Sequence, residues 1–212
     1  MYNLNMTGTS HLITGTALGL AFISTQHTTP MQVLGATLVC AIASLLPDID
    51  AENSTIKVWV SGKGGTPLTD AIISKRDRNG AIGTLLYALF GGIEFVIRQL
   101  LEQLITVVSK VVPHRGPTHY FITSFVVALC ITILGLIFAH SSLYGIAFFI
   151  GYTAHILGDM CTHSGVTALK PFSANTYYVL PKFLRFKTEA FSLSEGIVVT
   201  AVVGISLAII YL

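Results

Sequence analysis

The chain has 212 residues, of which 52% are hydrophobic and only 10% are charged, and its formal net charge is +2. A water-soluble domain of this size would carry more charge, so the composition excludes a soluble globular protein and indicates a multi-pass membrane protein. The few positive charges are too scattered to favour nucleic acid as a partner, and the three cysteines show no pairing pattern. We predict a single all-α membrane-embedded domain over residues 1–212.

Two apolar runs open the chain and predict the first two transmembrane helices. The first, His11–Ser24, is rich in glycine and alanine, which let membrane helices approach closely. The second, Met31–Leu46, is short for a span and stops at Pro47, directly before Asp48 and Asp50. Two carboxylates therefore follow the predicted end of the second helix.

The middle of the chain has a different character. Residues 51–80 form a polar, loop-rich insertion with several glycines and basic residues. In the next segment, charged residues repeat at i+4 spacing: Glu94, Arg98 and Glu102. The segment, Ala81–Val112, has a helical pattern with one charged face, which predicts a surface or re-entrant helix that bends at Gly91 and Gly92.

Three more apolar runs complete a prediction of about five transmembrane helices in one bundle: Tyr120–Ala139, Leu143–Met160 and Gly196–Leu212. The first of these runs follows the polar sequence HRGPTH at 114–119, in which Pro117 predicts a helix start. The last follows a weakly basic loop and Glu195. Polar residues thus flank the apolar runs at several points.

The clearest functional signal is GYTAHILGDMCTHSGV at 151–166. Its His155, Asp159 and His163 are four residues apart and therefore share one face of a helix. Imidazole and carboxylate are ligand types that suit zinc, manganese or iron, so the spacing predicts a metal site. The alternative is that these are ordinary interfacial residues at a helix end, although ionisable groups within a span are costly and call for a shared reason.

The distribution of basic residues predicts the topology, because short loops rich in Lys and Arg stay in the cytoplasm. With five spans, all twelve Lys and Arg fall within 47–117 and 163–195, on one side of the membrane. We therefore predict that this side and the N-terminus are cytoplasmic and that the C-terminus lies outside. The same side receives His11 and the polar ends of the later helices, provided that 81–112 does not cross the membrane once.

Three motifs in order resemble those of the YdjM family, bacterial inner-membrane proteins regarded as metal-dependent hydrolases: LPDID at 46–50, HRGPTH at 114–119 and the motif at 151–166. The resemblance implies an inner-membrane location and metal binding by the His and Asp residues of these motifs. It also implies a distant similarity to zinc-dependent phospholipases C, which are α-helical phosphoesterases with a cluster of metal ions. The chain departs from the family's usual pattern at Ala51, Glu52 and Tyr120, and by its insertion before His114.

Six residues are predicted metal ligands, about right for two divalent ions that share a bridging carboxylate: His11, Asp48, His114, His119, His155 and Asp159. We expect zinc ahead of manganese or magnesium. Asp50 is a further ligand, orients one, or is an ordinary turn aspartate. Glu195 is a general base or a ligand, or it only stabilises the N-terminus of its helix by its negative charge. Arg115 is suited to bind a phosphate through two hydrogen bonds, or to contact a lipid headgroup.

Two functions fit these residues. In the first, a hydrolase at the cytoplasmic face of the inner membrane uses a metal-activated water to cleave a phosphoester of a lipid or amphiphilic substrate. In the second, the protein is a non-enzymatic metal-binding scaffold or a transporter. A site at one interface argues against transport, because transporter sites lie near the middle of the membrane. The expected partners are membrane lipid and a small amphiphilic or phospholipid substrate.

Overall fold

A computed structural model of the protein describes residues 7–51, 54–60, 69–70, 73, 80–111, 116–186 and 192–212. Within these ranges the chain is α-helical, as predicted, and forms no β-strand. Two 3-10 turns lie at Leu46–Asp50 and Pro117–His119. The α-helices, in chain order, are α1 Gly8–Ser24, α2 Pro30–Ala43, α3 Thr55–Val60, α4 Ala81–Val111, α5 Phe121–Ala139, α6 Leu143–Asp159 and α7 Leu193–Tyr211.

Hydroxyl side chains begin three of these helices by accepting a hydrogen bond from a backbone N–H that has no partner within the helix. Thr7 accepts from Ser10 at the start of α1, so this helix begins at Gly8, earlier than the predicted His11. Thr29 forms a reciprocal capping box with Gln32 at the start of α2. Ser192 accepts from the N–H of Glu195 at the start of α7.

The chain divides into two compact units, residues 1–48 with 115–212, and residues 49–114. In the first unit, α6 is central and contacts α1, α2 and α5, while α1 also contacts α7. Glycines bring α6 close to its neighbours: a Cβ at Gly151 would collide with the carbonyl oxygen of Cys40, and one at Gly145 with Thr132. The single domain at 1–212 stays a prediction.

The second unit includes α3 and α4, which contact each other. The backbone N–H and the hydroxyl of Thr69 donate to the Glu94 carboxylate at 2.8 and 2.6 Å, and Glu94 pairs with Arg98 at 2.8 Å. The charged face predicted for this segment is therefore partly neutralised within the unit. Helix α4 continues without interruption through Gly91 and Gly92.

Fewer helices than the predicted five are long and apolar enough by themselves to cross a membrane. Among the described residues, three stretches meet this requirement: Ala81–Val107, Phe121–Ala139 and Leu193–Tyr211. The predicted spans in α1, α2 and α6 are shorter, with 17, 14 and 17 residues. The reason is that each of these apolar runs bends into a turn before it reaches the roughly 20 residues that a bilayer core of about 30 Å requires.

Candidate metal centre

Four of the predicted ligands converge in the first unit although they lie far apart in the sequence. Asp48 is in the first 3-10 turn, His119 is in the second, and His155 and Asp159 are on α6. One ligand atom from each of the four lies within 4.8 Å of the others. The i, i+4 spacing on α6 supplies two of the ligands on one helix face, and the two turns supply the other two.

The four nitrogen-to-oxygen distances within this group are close to the edge length of a coordination tetrahedron. His119 Nε2 lies 3.5 Å from Asp48 Oδ1 and 3.3 Å from Asp159 Oδ2. His155 Nε2 lies 3.6 Å from Asp48 Oδ1 and 3.7 Å from Asp159 Oδ2. Ligands about 2.1 Å from a central zinc ion would be about 3.4 Å apart at the tetrahedral angle. A single ion could therefore contact all four atoms after small side-chain adjustments.

The ring of His155 is oriented by a backbone carbonyl. Its Nδ1 lies 2.7 Å from the carbonyl oxygen of Ser44, which can only accept a hydrogen bond. Nδ1 therefore carries the hydrogen, and in the neutral ring the lone pair is on Nε2, the atom that faces the carboxylates. Because Ser44 directly follows the last residue of α2, the end of α2 orients His155, a predicted ligand on α6.

His119 is held through the residue before it. The hydroxyl of Tyr152 on α6 donates to the carbonyl oxygen of Thr118 at 2.6 Å. The Thr118 hydroxyl in turn lies 3.1 Å from His119 Nδ1. These contacts fix the second 3-10 turn against α6 and direct His119 Nε2 at Asp48 and Asp159. Sequence reasoning missed Ser44, Thr118 and Tyr152, although the position of Tyr152 three residues before His155 places it on the ligand-bearing side of α6.

The chemistry of these atoms fits a divalent cation. The side chains of His119, His155 and Asp159 are inaccessible to solvent, whereas that of Asp48 is 14% exposed. Within the described residues, Nε2 of His119 and Nε2 of His155 are buried and meet no hydrogen-bond geometry, although each lies 3.3–3.7 Å from two carboxylate oxygens. Buried polar atoms are costly without a partner. Two imidazole nitrogens and two carboxylate oxygens form a donor set that suits zinc or manganese.

The charges of the centre shift the pKa values of the two ligands that come from turns. Burial by itself would raise the pKa of Asp48, but the imidazoles of His155 and His119 hold it well below its usual range. Burial by itself would lower the pKa of His119, but the carboxylates of Asp159 and Asp48 raise it to about 9. His119 therefore holds a proton at neutral pH when no cation is bound, and a bound cation displaces this proton.

His11 lies beside this group of four. Its Nε2 is 3.2 Å from Asp159 Oδ1, whereas His119 Nε2 is 3.3 Å from the other oxygen of that carboxylate, Oδ2. Its ring stacks on the ring of His155, with centroids 3.7 Å apart and an angle of 15° between the planes. Both ring nitrogens of His11 are buried without a hydrogen-bond partner among the described residues. The Asp159 carboxylate thus has His11 beside one of its oxygens and His119 beside the other.

Glu195 is buried in the first turn of α7, where its Oε1 accepts hydrogen bonds from the N–H and the hydroxyl of Thr7, both at 2.9 Å. Thr7 is the residue that caps α1, one turn before His11. Glu195 therefore connects the starts of α1 and α7, and it is not one of the four clustered ligands. Its catalytic role stays a prediction.

The structure does not bring the remaining predicted residues into this group. His114 and Arg115 lie outside the described residues, and so does the side chain of Asp50, whose backbone ends the first 3-10 turn. His163 is exposed, and its backbone N–H donates to the carbonyl oxygen of Phe186 at 3.2 Å. The roles of His114, Arg115 and Asp50 stay predictions, while the exposure of His163 favours an ordinary residue beyond the helix end.

Comparison with known proteins gives one match. The family described as YdjM inner membrane protein matches residues 6–212, which is nearly the whole chain. The chain therefore belongs to this family, as its motifs predicted, and is a membrane protein. The comparisons with curated proteins and with solved structures gave no match.

Proposed function

We propose that this member of the YdjM inner membrane protein family is a metal-dependent hydrolase that cleaves a phosphoester of a lipid or amphiphilic substrate at the cytoplasmic face of the membrane. The observation that carries the proposal is the tetrahedral spacing of 3.3–3.7 Å between the imidazole nitrogens and carboxylate oxygens of His119, His155, Asp48 and Asp159. A bound divalent cation would give the two imidazole nitrogens and two carboxylate oxygens a common partner.

Two features favour a catalytic centre over a purely structural one. The centre contains no cysteine, whereas structural zinc sites are built mainly from thiolates and are closed. Three of its side chains are inaccessible and the fourth, Asp48, is 14% exposed, so the centre opens on the side of Asp48. Among the described residues, this side is the one from which a substrate phosphate could reach the centre.

In the proposed reaction, the oxygen of a water molecule adds to phosphorus, the P–O ester bond breaks, and the alcohol leaves with a proton. A divalent cation, when bound, supplies Lewis-acid activation of the water and of the phosphoryl oxygen. The chain's own residues hold this centre in place. Asp159 would help to hold the cation together with His119 and would also pair with His11, because Oδ2 lies 3.3 Å from His119 and Oδ1 lies 3.2 Å from His11.

The centre also supports a topology in which α4 does not cross the membrane. Asp48 precedes α4 and His119 follows it, yet their side chains are 3.5 Å apart. A single crossing by α4 would place these two residues on opposite faces. We therefore propose that α4 is a surface or re-entrant helix, as its charged face predicted, although its composition is apolar enough for a span.

The same reasoning applies to the helices of the first unit. α5 begins two residues after His119, and α6 ends at Asp159. The side chains of His119 and Asp159 are 3.3 Å apart. The start of α5 and the end of α6 therefore lie at the same membrane face. Helix α6 thus spans the same depth as α5 although it is the shorter helix. We propose that α1, α2, α5, α6 and α7 all cross, with the centre and the N-terminus cytoplasmic and the C-terminus outside. Reporter fusions would test this topology, and a cytoplasmic C-terminus would contradict it.

The test of the proposed function compares two substitutions after metal analysis and a screen of phosphoester and lipid substrates. We expect His155→Ala to lose bound metal together with activity. We expect Arg115→Ala to keep the metal and to lower the rate roughly 30- to 1,000-fold, because the substitution removes about 2–4 kcal/mol of charge stabilisation in the transition state. Full activity and full metal content in Arg115→Ala would remove the anion-binding residue from the mechanism and favour the metal-binding scaffold.

A further inference from the structure

A groove beside the metal centre has the dimensions of a small-molecule pocket. It has a volume of about 400 Å³ and runs along α5 and α6, under the loop at 168–172. Phe121 and Ile122 of α5 and Phe149 of α6 line its apolar walls, and Phe172 lies at its edge. These walls would bind a hydrocarbon chain in preference to a polar ligand.

The groove begins at the level of the metal centre and leads away from it into the apolar layer. Phe121, at its upper end, lies two residues after His119, and its N–H donates to the carbonyl oxygen of Ala168 at 2.9 Å. On α6, Thr153 and Phe149 lie about 9 and about 15 Å below Asp159 along the helix axis, at 1.5 Å per residue. A chain lying in the groove would therefore place its polar end at the same height along α6 as the ligands.

The loop adds a positive charge to the mouth of the groove. Lys170 lines it, is partly exposed, and forms no ion pair with any carboxylate that the structure describes. A lysine with its stem on apolar surface and its ammonium group at the interface attracts an anionic headgroup. A second groove of about 360 Å³ between α1 and α7, lined by residues such as Leu20 and Leu207, has no charged residue and serves as a comparison.

We propose that the groove between α5 and α6 binds one acyl chain of an anionic glycerophospholipid, with Lys170 at the phosphate, and thereby presents this lipid to the metal centre. Delivery of the lipid to the metal centre rests on the proposed hydrolase function, whereas binding of the lipid does not. The lipid's phosphate would lie at the mouth of the groove, beside Lys170 and at the height of the centre along α6. The proposal thus narrows the substrate class from any amphiphilic phosphoester to an anionic phospholipid.

The proposal can be tested by native mass spectrometry of the purified protein in detergent, mixed with phosphatidylglycerol, phosphatidylcholine or soluble glycerol phosphate. We expect the protein to retain phosphatidylglycerol in preference to phosphatidylcholine and to retain no glycerol phosphate. Ile122→Trp fills the groove and should lower retention of phosphatidylglycerol at least tenfold. Lys170→Gln should reduce the preference for phosphatidylglycerol about fivefold, the effect of one lysine at an anionic surface.

The matched control is Leu207→Trp, which fills the uncharged groove and should leave retention unchanged. Metal content and elution volume show whether each variant is folded. Phe172→Ala is a second variant that tests the groove without opening the core, because Phe172 is 82% exposed. Equal losses in Ile122→Trp and Leu207→Trp would show ordinary annular lipid and overturn the proposal. Retention of phosphatidylglycerol without hydrolysis would contradict the proposed hydrolase but not lipid binding in the groove. Unchanged hydrolysis and unchanged lipid retention in Ile122→Trp would contradict only lipid binding in the groove.

Discussion

Helices α5 and α6 lie side by side in the first unit. The more apolar of the two is the less buried, which is the opposite of what is usual in a soluble protein. α5 has no acidic, basic or histidine residue, and only Ser124 and Ala128 are buried along its 19 residues. α6 carries His155 and Asp159, and both are among its many buried residues. In lipid, apolar side chains gain little from contact with protein, whereas ionisable groups must be enclosed. The more apolar helix therefore faces outward and the helix with the ligands lies inside.

The largest effect should come from removing the carboxylate at the end of α6. Asp159→Ala leaves the imidazoles of His11 and His119 without their shared partner, which costs about 3–5 kcal/mol when a buried charge pair is broken. We expect loss of bound metal by elemental analysis and a lower melting temperature in detergent, and chelation should destabilise the unsubstituted protein in the same direction. Unchanged metal content together with unchanged melting would show that the ligand assignment is wrong.

A smaller effect should follow from enlarging the contact between α6 and α2. Gly151→Ala drives a methyl group into the Cys40 carbonyl oxygen, and overpacking of this kind costs about 1–3 kcal/mol. Gly204→Ala on α7 is the matched control, because a Cβ there meets nothing within 4 Å. Thermal unfolding of both variants in the same detergent would measure the difference. Equal stability of the two would mean that α6 is not held as closely as described.

The hydrogen bond from Tyr152 should affect the metal more than the fold. Tyr152→Phe keeps the ring in the core but releases the Thr118 carbonyl, so His119 loses part of its orientation. We expect metal affinity to fall roughly 10- to 100-fold, the usual cost of removing a group that orients a ligand. Titration with a chelator of known affinity measures this change. Tyr144→Phe, near the other end of α6, is the control, and the same loss in both variants would exclude a specific role for Tyr152.

The smallest effect should come from the outer face of α5. Leu136 is 51% exposed, and lipid replaces whatever contact its side chain loses. We expect Leu136→Ala to change stability by less than about 0.5 kcal/mol and to leave metal content unchanged. A large destabilisation in detergent would indicate that this face packs against protein, and the contrast between the two helices would then need revision.

Much of this contrast could be predicted from the sequence, because composition, motif order and helical spacing are local properties. The i, i+4 spacing of His155 and Asp159 on one face, and Asp48 after an apolar run, led directly to the possible metal-binding group. The identity and the number of ions stay predictions. The contact between His155 and the carbonyl of Ser44 could not be predicted, because every residue has a carbonyl and only the packing of α2 on α6 selects this one. Helix ends also depended on packing. Helix α2 ends at Ala43, whereas the sequence predicted an end at Leu46, directly before Pro47 and Asp48.

The connection between Thr7 and Glu195 has a consequence for the order of events during synthesis. All four clustered ligands precede α7 in the chain, so the centre can assemble while the last helix is still being made. The cap of α1 is different, because the carboxylate that binds Thr7 is translated only with α7. Until α7 is made, the N-terminal cap of α1, one turn before His11, therefore lacks the carboxylate that accepts its hydrogen bonds in the folded protein.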